Sequence, residues 1–66
     1  MQMYIVEIAY KNSTIEVYQS AHWDQVYDYI LHNKKDIMAT LKLLPSSKLF
    51  VVRLGSESAA WEVELE

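Results

Sequence analysis

The sequence predicts an α+β fold in which a four-stranded antiparallel sheet packs against one long helix, in the chain order β-β-α-β-β. In the second and fourth extended segments apolar residues alternate with polar ones, with the period of two that strands have, and the first and third segments are apolar on both sides. A middle segment carries apolar residues at the spacing of an amphipathic helix. Asn12-Ser13, Pro45 and Gly55 mark the turns between these segments.

The first two strands form a predicted hairpin. They cover residues 3–10 and 14–19, and the Asn of the intervening Asn12-Ser13 pair tolerates the positive φ that a tight turn requires. A two-residue loop at this position sets Ile8 opposite Val17, so the apolar faces of the two strands coincide.

A single helix is predicted over residues 21–44. Ser20 is its expected N-cap, and Pro45 ends it. Its apolar positions recur every three or four residues, at Trp23, Val26, Tyr27, Ile30, Leu31, Ile37, Met38, Leu41 and Leu44. Lys34 is the one charged residue that falls on this stripe. A break near Asn33, which would give two shorter helices, is the alternative that the same pattern allows.

Two more strands follow, and their composition sets the strand order. Residues 48–54 form the third strand. In the fourth, apolar residues alternate with acidic ones, as Trp61, Val63 and Leu65 with Glu62, Glu64 and Glu66. Strands one and three are apolar on both sides, whereas strands two and four are apolar on one, so the first pair belongs in the middle of the sheet. The predicted order is 2-1-3-4, in a single domain spanning residues 1–66.

One helix covers only one face of such a sheet, so the second face is left uncovered. The residues expected under the helix are Val6, Ile8, Val17, Val52 and Val63. The apolar centre expected on the uncovered face consists of Met3, Ile5, Leu49 and Val51. Its expected rim consists of Glu7, Glu16, Tyr18, Arg53, Glu62 and Glu64. An apolar centre inside a polar rim is typical of a protein interface, so this face is the candidate partner-binding site, with Tyr18 as its aromatic anchor.

Composition excludes several classes of protein. A chain of 66 residues, 52% hydrophobic and without cysteine, folds as a small domain that needs dense packing or association in place of disulfides. A net charge of −3 disfavours nucleic-acid binding, which needs clustered Lys and Arg. The sequence shows neither a signal peptide nor a membrane-spanning run, so we expect a cytoplasmic protein without a membrane partner.

No motif indicates catalysis, a cofactor or a metal. Asp28, His32 and Asp36 recur every four residues on the polar side of the helix, and such residues can bind Zn²⁺. A fourth ligand is not apparent, so a weak helical pair between Asp28 and His32 is the preferred interpretation. We therefore expect no enzyme activity, no cofactor and no metal.

The function that these observations favour is a small protein-binding module. In size and layout the chain resembles small phage-encoded proteins that block host enzymes or defence systems, although no shared motif carries that resemblance. We therefore expect an inhibitor, antitoxin or adaptor, and the strand pattern indicates that it uses the uncovered face and its acidic rim against an apolar and basic partner surface. The alternative is an obligate homodimer that pairs its uncovered faces, as a structural protein or with a small ligand between subunits.

Overall fold

The computed structural model describes residues 2–65 and has the predicted α+β architecture. The elements in chain order are β1 (Met3–Tyr10), β2 (Ser13–Ser20), α1 (Trp23–His32), α2 (Lys34–Leu43), β3 (Lys48–Leu54) and β4 (Ala59–Val63). The strands form one antiparallel sheet of order β2-β1-β3-β4, as predicted. Both helices lie on the same face of this sheet, where their side chains close a core made of Val6, Ile8, Val26, Ile37, Leu49 and Val51.

The β1–β2 turn lies one residue earlier than predicted. Tyr10 pairs with Ser13, so Lys11 and Asn12 form the turn, and the positive φ of 56° belongs to Lys11. The Lys11 Nζ lies 5.2 Å from the centre of the Tyr10 ring, a cation–π contact that holds the turn against β1. As a result Ile8 pairs with Ile15 and not with Val17.

A β-bulge in β2 changes the direction of the side chains that follow it. The register shifts between Val6, which pairs with Tyr18, and Glu7, which pairs with Glu16, so Val17 is an extra residue. Val17 and Tyr18 consequently both pack against the core on the helix face. The prediction that Tyr18 lies on the uncovered face is therefore wrong.

The predicted single helix is two short helices, and the break falls at Asn33. The Asn33 backbone N–H and side-chain Nδ2 both donate to the Tyr29 carbonyl oxygen, at 3.0 and 2.8 Å. The Asn33 side chain thus shares the Tyr29 carbonyl oxygen with its own backbone N–H. Such side-chain bonds compete with the regular hydrogen bonds of a helix. The break returns α2 to the sheet, where Ile37 enters the core.

Helix α1 also begins later than predicted. Its N-cap is His22, not Ser20. The buried Ser20 hydroxyl accepts the His22 N–H at 3.0 Å and donates to Gln25 Oε1 at 2.6 Å. Ser20 therefore fixes the turn that leads from β2 into the helix.

The pairing of β1 with β3 determines which side of β3 is buried. Val6 lies opposite Val51, and Ile5 lies opposite Val52. Leu49 and Val51 are 1% and 0% exposed beneath the helices, so their predicted position on the uncovered face is wrong. Val52, predicted under the helix, lies on the other face. Both sides of β3 are apolar, so alternation alone does not indicate which side faces the core.

Strand β4 ends at Val63, and Leu65 beyond it packs against the core. Trp61 lies opposite Val51 on the helix face, as predicted, but the helices leave it partly exposed. Glu62 points to the opposite face, again as predicted. Glu66 lies outside the described residues.

Adjacent valines of β3 provide a test of this face assignment. Val51→Ala removes buried methyl groups from the core and should lower the free energy of unfolding by about 2 kcal/mol. Val52→Ala makes the same chemical change on the other, half-buried face of the sheet. It should lower the free energy of unfolding by about 1 kcal/mol or less. Urea unfolding followed by circular dichroism measures both values. Equal losses, or a larger loss for Val52→Ala, would contradict the assignment.

Candidate functional site: the open face and an aromatic patch

The sheet face opposite the helices is the predicted candidate site, with a partly different membership. We call it the open face, because no described residue of the chain packs over it as the helices do over the other side. From the strand register, its apolar members are Met3, Ile5, Ala9, Phe50, Val52, Leu54 and Ala60. Its charged members on the strands are Glu7, Glu16, Lys48 and Glu62.

One end of the open face is apolar. Ile5, Val52 and Ala60 form a row across three strands, because Val52 pairs with both of the others. Met3 pairs with Leu54 in the next row, and Leu54 is 45% exposed. These side chains form a contiguous patch at the end of the sheet where β1 begins.

The adjacent row is acidic. Glu16 lies opposite Glu7, Glu7 lies opposite Phe50, and Phe50 lies opposite Glu62, so three carboxylates and one ring cross the whole sheet. Lys48 Nζ is 3.9 Å from the Glu62 carboxylate, an exposed pair that contributes little to stability. Like charges directly opposite each other, as in Glu7 and Glu16, destabilise a sheet. The open face therefore has a band beside its apolar patch that stays net negative, with Lys48 against Glu62 and no basic partner on the strands for Glu7 and Glu16.

Most of the predicted site residues lie on or beside the open face, and the others lie elsewhere. Met3, Ile5, Glu7, Glu16 and Glu62 lie on the open face, and Glu64 is exposed just beyond β4. The residues that lie elsewhere are Tyr18, Leu49, Val51 and the predicted rim residue Arg53. Phe50, Val52 and Leu54 take the place of Leu49 and Val51. The sequence offers no local signal for this exchange, since the face of β3 depends on its pairing with β1.

Tyr18 contributes to the core instead of to the open face. Its ring stacks on that of Tyr29 in α1, with centroids 4.3 Å apart and planes 6° from parallel. This contact joins β2 to α1, so Tyr18 is not available as an anchor on the other side of the sheet.

The predicted Asp28 and His32 pair also takes a different form. The His32 Nδ1 lies 2.8 Å from the backbone carbonyl oxygen of Asp28, and not against its carboxylate. Within residues 2–65, His, Cys, Asp and Glu side chains form no group of three or more that could hold a metal ion.

A second exposed apolar surface, which the sequence did not indicate, lies on the helix side. Helix α1 turns Val26, Tyr29 and Ile30 towards the sheet. The aromatic patch is the set left outside: Trp23 (49% exposed), Tyr27 (57%), Leu31 (52%) and Trp61 of β4 (42%). The first three were predicted as part of the buried stripe, and that prediction is wrong. The helical period is present, but α1 is rotated so that Val26 is buried and Tyr29 stacks on Tyr18.

Aromatic contacts join the two parts of this patch. The Trp23 ring lies edge to face with Tyr4 and with Trp61, at centroid distances of 5.4 and 6.3 Å. The Arg53 guanidinium lies 5.2 Å from the centre of the Trp61 ring, and its Nε donates to the Glu57 carbonyl oxygen at 2.8 Å. These four side chains, Tyr4, Trp23, Arg53 and Trp61, line an open cavity of about 440 Å³.

Comparisons with known proteins assign no family: no family model matches the chain, and no significant match occurs among curated proteins or solved structures. Across residues 2–65, neither helix has the length and apolar character needed to cross a bilayer. The open face and the aromatic patch are therefore the features of the chain that bear on function.

The opposed carboxylates on β1 and β2 generate a stability prediction. Glu16→Lys replaces a like-charge pair with an attractive one across from Glu7 and should raise the free energy of unfolding by about 0.5 to 1 kcal/mol. Glu16→Gln is the matched control and should give roughly half the gain. Urea unfolding at low and high salt measures both, and salt should reduce the gain by screening. A loss of stability at low salt in Glu16→Lys would show that the two carboxylates do not repel each other.

Proposed function

We propose that this chain is a non-enzymatic binding module that occupies a surface of another protein through its open face. Inhibitors, antitoxins and adaptors act in this way. The observation that carries the proposal is the pairing of an uncovered apolar patch with a negative band on one side of a small sheet. Such an arrangement matches the apolar core and polar rim of protein interfaces.

The apolar patch gives part of the affinity that a specific complex requires. Met3, Ile5 and Val52 of this patch and the adjacent Phe50 are partly buried already, and Leu54 is 45% exposed. Complete burial of their exposed portions would stabilise a complex by about 5 kcal/mol. A micromolar complex needs about 8 kcal/mol, after the cost of association has been met. The charges of the open face must therefore contribute to binding as well.

The negative band selects the chemistry of the partner. Glu7, Glu16 and Glu62 face the same side of the sheet, where Lys48 is the one basic side chain on the strands described. A partner that sets Lys or Arg beside an apolar patch would neutralise the repulsion between Glu7 and Glu16. Complementary charge also speeds encounter and rejects wrong partners.

The same charges disfavour self-association through the open face. If two open faces met with their negative bands superimposed, carboxylates would face carboxylates. If one face were rotated by about 180° relative to the other, the carboxylates of each copy would be desolvated by contact with the apolar patch of the other. A different protein with basic residues avoids both costs.

The remaining features are compatible with a binding role. Catalysis requires polar groups that converge in a cavity, whereas the cavity beside Trp61 is lined by three aromatic rings and by Arg53, whose Nε is already hydrogen-bonded. The sequence contains no cysteine, so the fold needs no oxidising compartment. The cytoplasmic location that we assign to the module fits this composition.

Ile5→Arg tests the proposal, because it places a long cation in the centre of the apolar patch. We expect the variant to fold and to lose the partner that the wild-type chain retains in a pull-down from its own host lysate. Circular dichroism establishes the fold, and mass spectrometry identifies the retained proteins. Loss of binding should exceed about 30-fold, as at a central interface residue.

Ile15→Arg is the matched control. It makes the same substitution at an exposed residue of β2 that faces the helix side. We expect this variant to keep the partner. The proposal fails if Ile5→Arg folds and still captures the partner, or if Ile15→Arg abolishes capture to the same extent.

A further inference from the structure

The aromatic patch on the helix side is separate from the open face and needs its own explanation. We propose that it joins two copies of the chain into a symmetric dimer, in which α1 of one copy packs antiparallel against α1 of the other. This inference does not depend on the proposed function, since the two surfaces lie on opposite sides of the sheet.

The exposed row on α1 is not required by the core. Trp23, Tyr27 and Leu31 are spaced four residues apart, so they follow one another along a single side of the helix. Val26 and Ile30 make the contacts with the sheet from another side. Trp23 also packs on Tyr4 and Trp61, but Tyr27 and Leu31 are 57% and 52% exposed at positions where polar residues would leave the core unchanged. The row therefore has the character of an unpaired helix–helix contact.

The area of the patch is compatible with a dimer. Each half-exposed aromatic or leucine side chain offers about 100 Å². The four members of the aromatic patch together offer about 400 Å², which is half of the roughly 800 Å² that each partner contributes to a standard interface. Flanking polar residues of α1 and the start of α2 would provide the remainder.

The charges beside the row select a second copy as the occupant. Asp24 and Asp28 accompany the N-terminal part of the row. At its C-terminal end Lys34 and Lys35, at the start of α2, line a concave surface with Leu31, His32 and Asp36, where two lysines outnumber one carboxylate. The row is therefore negative at one end and positive at the other. An antiparallel pair of identical helices brings unlike ends together, whereas a parallel pair would bring like ends together.

One two-fold axis satisfies the apolar and the charged contacts at once. With the axis at the level of Tyr29, Tyr27 lies opposite Leu31 of the second copy. The same axis brings Asp24 close to the C-terminal end of α1 in the second copy, where Lys34 begins α2. A two-fold axis repeats each contact, so the dimer gains both pairs twice.

Sedimentation equilibrium of the wild-type chain and of Tyr27→Asp tests the dimer. The wild type should dimerise with a Kd in the range of about 1 to 100 μM. Tyr27→Asp buries a carboxylate against Leu31 and should raise Kd by about 30-fold or more. Gln25→Asp is the matched control, on the same helix but away from the row, and should leave Kd unchanged. Circular dichroism shows whether each variant is folded.

A charge exchange tests the antiparallel geometry itself. Asp24→Lys alone and Lys34→Asp alone should each raise Kd by about tenfold, because each sets like charges across the axis. The double variant carries both changes in every chain and should return Kd close to the wild-type value. Such recovery is expected only if Asp24 of one copy lies near Lys34 of the other.

The outcomes that would overturn the dimer are distinct from those that bear on the open face. A wild-type chain that stays monomeric at about 1 mM, a folded Tyr27→Asp variant that still dimerises, or a double variant no tighter than the single ones would each overturn it. Dissociation by Ile5→Arg would overturn it too, by showing that open faces pair instead. The proposed function is measured separately, because a monomeric Tyr27→Asp chain should still capture the partner of the open face.

Discussion

The antiparallel pairing of β1 with β3 is the constraint on which the rest of the structure depends. Its register sets Val6 opposite Val51 and Ile8 opposite Leu49. These four side chains form the sheet side of the core, and the two helices cover them. Side chains alternate along a strand, so the same register turns Ile5 and Val52 outward. The core and the open face are two results of one pairing, and a slip by one residue would exchange them.

Two interruptions of regular structure adapt a short chain to this sheet. The bulge at Val17 turns Tyr18 inward, where it stacks on Tyr29 of α1. The break at Asn33 brings α2 back over the sheet. A domain of this size buries only about 60% of the surface of its unfolded chain, so each such gain in burial matters. The inward turn of Tyr18 also leaves Phe50 as the one aromatic side chain on the described strands of the open face.

The two exposed surfaces differ in charge, and this difference is the reason why we propose a different occupant for each. The open face carries three carboxylates in one row, a pattern complementary to a basic protein and not to itself. The row on α1 has Asp24 and Asp28 beside one end and Lys34 and Lys35 of α2 beside the other, a pattern complementary to its own antiparallel copy. Pairing through α1 would leave both open faces free. A dimer of this kind could engage two sites on one target with increased avidity.

The sequence by itself determined the α+β class, the order 2-1-3-4, the bounds of β1 and β3, and five residues of the open face: Met3, Ile5, Glu7, Glu16 and Glu62. These features follow from alternation and periodicity, which are encoded within a few neighbouring residues. Only the tertiary structure decided which side of β3 is buried, which way Tyr18 points, and that Trp23, Tyr27 and Leu31 remain outside. Where both sides of an element are apolar, local pattern cannot distinguish them, and contacts between residues distant in the chain make the choice.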